Sequence, residues 1–505
     1  MTHRIAVVGG GPKALFALES LIAATSNSSV DIAVDVFDPQ PPGHGAAYDP
    51  AQPEYLRLNV DAGIVSVWPL SRTDDRRPDF RVWAATFDPK YADAVFPPRA
   101  AVGRYLRWAF DQLTRQSAAV RISHVPATVD DLEPTPARGW TVLADRRHGP
   151  YDEVLIATGH ARSWNGTLLD ESIPVHRAFP VEQLGAVPRG SRVRVRGAAL
   201  TFIDVALTLT EGRGGTFTTT ADALLYHPSG NEPALTSPYS RSGLLLTPKP
   251  DVLRPLPDIS HARQRLVSGT LDALETAVID LAADVLSAAG VRPHRGELVA
   301  ALNTDVDVDV VERLRHCVAV CCGSLPPGPE YALGRAWSLI YRDLVRRFCV
   351  PELPIGDRAR FAELACTMER FAFGPPLLNA RKLLALIESG IVDVDHLTGV
   401  ATDGGPYDVL VDAVLPPPGW RHVTDPLVTA LLARGLVTIA DGARGINVDG
   451  TARVMGPDGA TIGLSATGRP TEDSVIGNDT LNRAIHDHPQ LWAERLLDTF
   501  EGRHD

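Results

Sequence analysis

Residues 5–8, IAVV, form a short, fully apolar and mostly β-branched run of the kind buried in a parallel sheet, and glycines follow at once. Ala14, Leu15, Leu18, Leu21 and Ile22 then recur at helical spacing until residues 25–29 break the pattern, and DIAVDVFD at 31–38 reads as a second strand. The pattern predicts a β-α-β unit at the N-terminus. Residues 39–53 are rich in Pro and Gly and predict a loop, beyond which a helix carries Tyr105, Leu106, Trp108 and Phe110. Residues 121–160 alternate short strands with turns and close on YDEVLIATGH at 151–160.

A second strand, glycine loop and helix begins at Ser191 with RVRVRGAALTFIDVALTL. Its strand alternates Arg192, Arg194 and Arg196 with valines, an unusual polar face for a central parallel strand. Residues 256–390 then lose β character and predict long helices, read as an insertion. YDVLVDAVLPPPGW at 407–420 echoes the Tyr-Asp strand at 151, so the chain carries two similar units, each a glycine loop followed later by a Tyr-Asp strand. A C-terminal helix is expected from about Asp479. The expected architecture is α/β: two dinucleotide-binding, Rossmann-like units with a helical insertion in the second. The expected divisions are 1–185 for the first unit, 186–255 for the second, 256–400 for the insertion, and 401–505 for a return strand and the C-terminal part of the first unit.

Length and composition narrow the function. A chain of 505 residues with 44% hydrophobic and 22% charged residues has material for two or three packed domains. Its net charge of -12 argues against a general nucleic-acid or anionic-membrane binder. No run suggests a membrane span, and the apolar strand starting at Ile5 leaves no room for a signal peptide, so a cytoplasmic protein is expected. Five cysteines, Cys317, Cys321, Cys322, Cys349 and Cys366, all lie in the helical stretch and read as packing residues, with neither a dithiol nor a zinc-ligand spacing. No metal site is expected.

The chemistry concentrates in the first loop. Gly9-x-Gly11-x-x-Ala14 directly follows a strand and opens a helix, and Asp38 ends the second strand. In that setting Gly9 permits the tight turn, Gly11 lets backbone approach a pyrophosphate, Ala14 keeps helix and strand close, and Asp38 accepts from a ribose hydroxyl. The second loop, Gly197-Ala198-Ala199-Leu200-Thr201-Phe202-Ile203-Asp204, has alanine where the glycine nearest the phosphates stands, so either a working second nucleotide site or a degenerate structural half remains open. The loops SGNEP at 229–233 and SRSG at 240–243 are expected at the second ribose, with Arg241 or His227 able to meet a 2′-phosphate.

GGGPKAL, FDPQPPGHGAAYDP, YLRLNV, PPRAAVGRYL, VLIATGH, RGAALTFID, HPSGNEP, FGPP and GLSATGRPTE, in this order along nearly the whole chain, resemble the FAD/NAD(P)-binding proteins related to flavin monooxygenases of the N-hydroxylating type. The resemblance implies FAD on the first loop, with Gly9, Gly11, Pro12, Lys13, Ala14 and Asp38 around the pyrophosphate and ribose. It implies NADPH or NADH on the second unit, with Gly197, Ala199, Leu200, Thr201, Asp204 and Arg241 around it; Asn231 stands where relatives often carry a basic residue. Asn59 falls near the isoalloxazine, Arg99 near the FAD entry, Thr158 and Gly159 where the chain leaves the FAD domain, and Gly468, Arg469 and Thr471 over the flavin. His160 and His176 lie near cofactor loops; together with Asn59 they are the catalytic candidates.

The implied activity is NAD(P)H-dependent hydroxylation of a small metabolite with O2, through a flavin hydroperoxide. Two other readings remain: a flavin oxidoreductase without oxygen insertion, and a nucleotide-binding sensor that turns nothing over.

Overall fold

Burial on both faces puts the N-terminal strand at the centre of a sheet. In the computed structural model, which describes residues 2–74, 76–136, 139–170, 172–220, 223–250, 254–303, 309–400 and 405–502, Thr2–Val8 pairs in parallel with Asp31–Phe37 on one side and Glu153–Ile156 on the other. The full order is Arg453–Gly456, Gly459–Ala466, Glu153–Ile156, Thr2–Val8, Asp31–Phe37, Val120–Val125, parallel except for the hairpin at the Arg453 edge. Ile5, Val7, Val34 and Val36 pack on helices Pro12–Ala24 and Arg99–Gln116 through Leu15, Leu18, Tyr105 and Leu106, all fully buried or nearly so. The opposite face, with Ala6, Val8 and Ile156, is covered by Trp140, Trp420 and Leu431.

The second sheet repeats the first at smaller scale. Four parallel strands run in the order Leu235–Tyr239, Arg192–Arg196, Val409–Asp412, Val175–Arg177. The echo between the two Tyr-Asp stretches is a detailed structural repeat. Asp152 accepts from the backbone N–H of Arg4 at 2.8 Å and returns its own N–H to the Arg4 carbonyl, and Asp408 does the same with Arg192 at 2.7 and 2.9 Å. Arg4 stacks over Tyr151, and Arg192 over Tyr407. Each Tyr-Asp pair thus fixes its strand beside the first strand of its own unit.

The expected divisions shift accordingly. Val175–Arg177, placed by sequence in 1–185, and Val409–Asp412, placed in 401–505 though read as the Tyr-Asp strand of the second unit, both belong to the second sheet; the return to the first sheet begins at Arg453. The helical stretch also splits. Val310–Cys321 and Leu377–Glu388 cover the second sheet, while Leu271–Ala288, Pro329–Arg347 and Ile355–Ala372 form a core of their own around Trp337, Ile340 and Met368. The C-terminal helix starts at His488, with Pro489 in its first turn, rather than near Asp479, because proline is tolerated there and not further in.

The arginine-rich strand is central after all. Arg194 is fully buried, donating to the carbonyls of His396 and Val400 and stacking on Tyr239 and Tyr407. Arg196 grips both carboxylate oxygens of Asp412, at 2.9 and 2.7 Å. A covering loop and a carboxylate satisfy charges that alternation alone reads as a solvent face. Among the described residues no helix is long and apolar enough to cross a membrane.

Candidate functional site

Both glycine loops sit at the C-terminal ends of their parallel strands, where such sheets bind ligands. Gly9 has φ +99°, and a Cβ there would lie 2.6 Å from the Ala157 carbonyl oxygen; its N–H donates to Phe37 O at 2.8 Å. Gly197 repeats this with φ +104°, a Cβ position 3.2 Å from Ala413, and an N–H bond to Tyr239 O at 2.8 Å. These first glycines are demanded by the turn itself.

The second positions answer to something else. Gly11 caps helix Pro12–Ala24 at φ -78°, which any residue adopts, and a Cβ there would meet only Gly45 Cα at 3.8 Å. No side chain caps that helix and no acid stands in its first turn, so its free N–H groups and dipole face open space. Ala199 caps helix Leu200–Leu209 in the same way, exposed, with no side-chain cap and no acid in the first turn. The cradle at Gly11 is one that a side chain would fill, and the residues fit a dinucleotide pyrophosphate there.

Asp38 holds the first loop in shape, accepting from the N–H groups of Gly10 and Gln40, each at 2.8 Å. The loop at 39–53 folds back onto it through Gly43 N–H to Gly10 O at 2.7 Å. By the matching bonds of Gly9 to Phe37 and Gly197 to Tyr239, the residue equivalent to Asp38 in the second unit is Ser240, followed by the exposed Arg241.

Several expected site residues lie elsewhere. Lys13 turns away from the loop and donates to Thr480 O at 2.7 Å. The SGNEP loop stands at the other end of the second sheet: Gly190 N–H bonds Glu232 O and Ala234 N–H bonds Ser191 O, just before the strand begins. His227 lies there too, bonded to Thr218. His176 sits within the edge strand opposite Val411. The Thr471 hydroxyl is buried and spent on Gly468 O. Asp204 is buried and ion-paired with Arg99 at 2.7 Å, so these two residues, each read as a ligand contact, hold each other and join the units. Burial raises the Asp204 carboxyl, opposed by Arg99.

What remains gathers near the Arg99–Asp204 junction of the units. Thr158, Gly159 and His160 leave the first sheet there, Thr467 N–H bonds Ile156 O, and nothing stands within 4 Å of a Cβ at Gly159. The His160 imidazole is held low by desolvation first, then by Arg469 and Arg99. Arg469 donates to Pro416 O at 3.2 Å and faces Asp479 at 3.5 Å. Asn59 ties the first unit to the insertion: its side-chain amide donates to Phe373 O at 3.0 Å, and its backbone carbonyl accepts from Lys249 at 2.5 Å.

Sequence reasoning missed Tyr48, Lys249, Glu472 and Asp479. Burial pushes the Tyr48 phenol up to about 12 and the Glu472 carboxyl up to about 8, and Asp479 acts in the same direction on both. Lys249 is lowered to about 8, by desolvation first and then Arg335. Being one of only four lysines in the chain was the one signal that singled it out.

The cysteine readings concern packing. Cys317 and Cys321 are buried on helix Val310–Cys321, and burial, then Glu330, pushes the Cys317 thiol up to about 12, far from a reactive thiolate. Among the described residues no three His, Cys, Asp or Glu side chains converge as metal donors.

Comparison with known proteins agrees with the first loop. Residues 6–161 match the family described as FAD-NAD(P)-binding. An L-aspartate N-monooxygenase (nitrosuccinate-forming) of Streptomyces davaonensis is 28% identical over 277 residues, covering 46% of this chain and 42% of the relative. A nitrosuccinic acid synthase of Aspergillus oryzae is 29% identical over 260 residues, covering 46% and 39%. The chain spans about two fifths of the length of these curated relatives. Among solved structures, the reduced ornithine hydroxylase of Pseudomonas aeruginosa aligns with a TM-score of 0.55 at 11% identity, covering 99% of both chains. The FAD-bound cadaverine monooxygenase of Erwinia amylovora aligns at 0.52 and 10%, covering 99% of this chain and 94% of that one. The fold is shared with these Rossmann-type enzymes.

Proposed function

We propose, from the premise of an N-terminal FAD-NAD(P)-binding domain related to N-monooxygenases, that this protein uses FAD, NADPH and O2 to oxygenate the amino nitrogen of a small metabolite. The observation that carries the reading is the pair of glycine loops of matching hydrogen-bond design, in units joined by Arg99 and Asp204. When bound, FAD supplies reduction by NADPH and activation of oxygen. The chain's own part is placement. Gly11 and the first turn of helix Pro12–Ala24 hold the FAD pyrophosphate, and Asp38, already fixing the loop, offers its remaining lone pairs to the ribose.

At the second unit the dinucleotide lies over Gly197, Ala199, Leu200 and Thr201. Ser240 in place of an acid removes the partner of an NADH ribose, and the neighbouring Arg241 is suited to a 2′-phosphate. Arg241→Ala is therefore expected to raise the KM for NADPH about tenfold, the loss of one charge-assisted contact, with little change for NADH. Equal effects on both cofactors would count against the assignment. Ala199→Leu is expected to raise the KM for either cofactor without releasing flavin, measured as steady-state flavin reduction. A Leu variant reduced as efficiently as wild type would mean that the second loop is no nucleotide site. L-aspartate, the substrate in the relatives' names, is the first amine to test.

A further inference from the structure

Between the start of helix Pro12–Ala24 and the turn at Thr467 and Gly468 lies a small cavity of about 20 Å³. Lys13, Phe16, Asn478, Arg483, His486 and His488 are among its lining residues. That volume holds one water. Three buried polar atoms of the lining have no hydrogen-bond partner: Asn478 Oδ1, Arg483 Nε and His488 Nδ1. The Asn478 side chain is 2% exposed and that of Arg483 6% exposed. The amide orientation of Asn478 is fixed, because its Nδ2 donates to Glu472 at 3.1 Å and to Val475 O at 2.9 Å. The cavity therefore presents an acceptor, a donor and an imidazole nitrogen. A water, which donates and accepts, satisfies this set, whereas a halide ion leaves Asn478 Oδ1 bare.

We propose that this cavity holds ordered water, and that Lys13, the water and His488 form a proton-exchange path between the outer surface and Asp479. Lys13 lines the cavity and spends one of its three N–H groups on Thr480 O, which leaves two to donate. Asp479 is near enough to favour its charged form and itself faces Arg469 at 3.5 Å. His488, at the start of the C-terminal helix, is only partly buried and reaches solvent.

The charges around Lys13 suit exchange. Desolvation brings its ammonium down to about 7, Asp479 opposes this and Arg483 adds to it. Arg483 is itself balanced by Glu19, which also pairs with Arg72. His486 is held low by burial and then Lys13, with its Nε2 on Ile476 O at 2.8 Å, and His488 is lowered by burial, so both face Lys13 largely uncharged near neutrality. Gly468 makes room for the side chain: a Cβ there would stand 3.0 Å from Lys13 Cγ.

The inference does not rest on the cofactor reading, so its test needs no cofactor turnover. With four lysines in the chain, lysine-labelled NMR resolves Lys13 in the full-length protein. The Lys13 signal is expected to titrate near neutrality, and its ammonium protons to exchange with water several-fold more slowly in His488→Phe than in wild type. Exchange unchanged in His488→Phe, or a Lys13 signal titrating in the ordinary lysine range, overturns the path. A high-resolution crystal structure gives an answer independent of any variant: ordered water bridging Asn478 Oδ1 and His488 Nδ1 is expected, and an empty cavity contradicts it. The pattern seen without cofactor persists under the proposal even if the protein proves to have no monooxygenase activity.

Discussion

Gly11→Val should yield a folded but colourless protein. The backbone at Gly11 has φ -78°, so a side chain is no strain, and its Cβ meets only Gly45 Cα at 3.8 Å. The valine methyls then occupy the space over the open N-terminus of helix Pro12–Ala24, where the pyrophosphate has to approach backbone N–H groups. Far-ultraviolet circular dichroism and the melting temperature are expected to stay near wild type while the flavin bands of the visible spectrum disappear. Gly9→Val is the contrasting control. With φ +99° and the Ala157 oxygen 2.6 Å from the new Cβ, it is expected to destabilise the fold itself. Retained flavin in Gly11→Val would show that the cofactor lies elsewhere.

The second large effect is expected at the junction of the two units. Arg99→Leu leaves the buried Asp204 without its counter-charge, a change expected to destabilise by about 3 kcal/mol, as for other broken buried pairs. Asp204 already has a raised carboxyl, because burial outweighs Arg99, and removing Arg99 raises it further. A raised folded-state value means that the folded variant binds more protons than the unfolded chain above the ordinary carboxylate range, so its stability falls as pH rises through that window. Denaturant unfolding followed by tryptophan fluorescence should show a larger deficit relative to wild type at pH 8 than at pH 5. Arg99→Leu combined with Asp204→Leu should recover most of it. A deficit independent of pH would mean that lost packing, not the uncompensated carboxyl, is the cause.

The N-terminal unit was legible because each residue of its fingerprint answers a local demand. A strand ending at Val8, a turn glycine, an open helix start and an acid after the next strand are all neighbours in sequence. The repeat of Tyr151-Asp152 at Tyr407-Asp408 was also visible and announced the Tyr-Asp strand of the second unit, although the division at 401 cut that strand away from its unit. Its partner, Arg192–Arg196, lies more than 200 residues upstream, and the helical excursion between them carries no signal of the return. The roles of Arg99 and Asp204 were hidden for a related reason: each sits at a position that fits a ligand contact in its own unit, and only the packing of the units shows that they take each other. Lys13 follows the same logic. Its place beside Gly11 suggests phosphate, but the side chain is drawn inward by Thr480, contributed by the distant C-terminal segment.

The most direct test of the whole account follows oxygen itself. Flavin-loaded protein is supplied with NADPH, oxygen-18 gas and a panel of small amines headed by L-aspartate, and the products are read by mass spectrometry. The account predicts that at least one amine speeds NADPH consumption and gains oxygen-18 on its nitrogen, with the second atom of each consumed O2 appearing in water. NADPH oxidised at the same rate with every amine, with all of the label recovered as hydrogen peroxide, would contradict it.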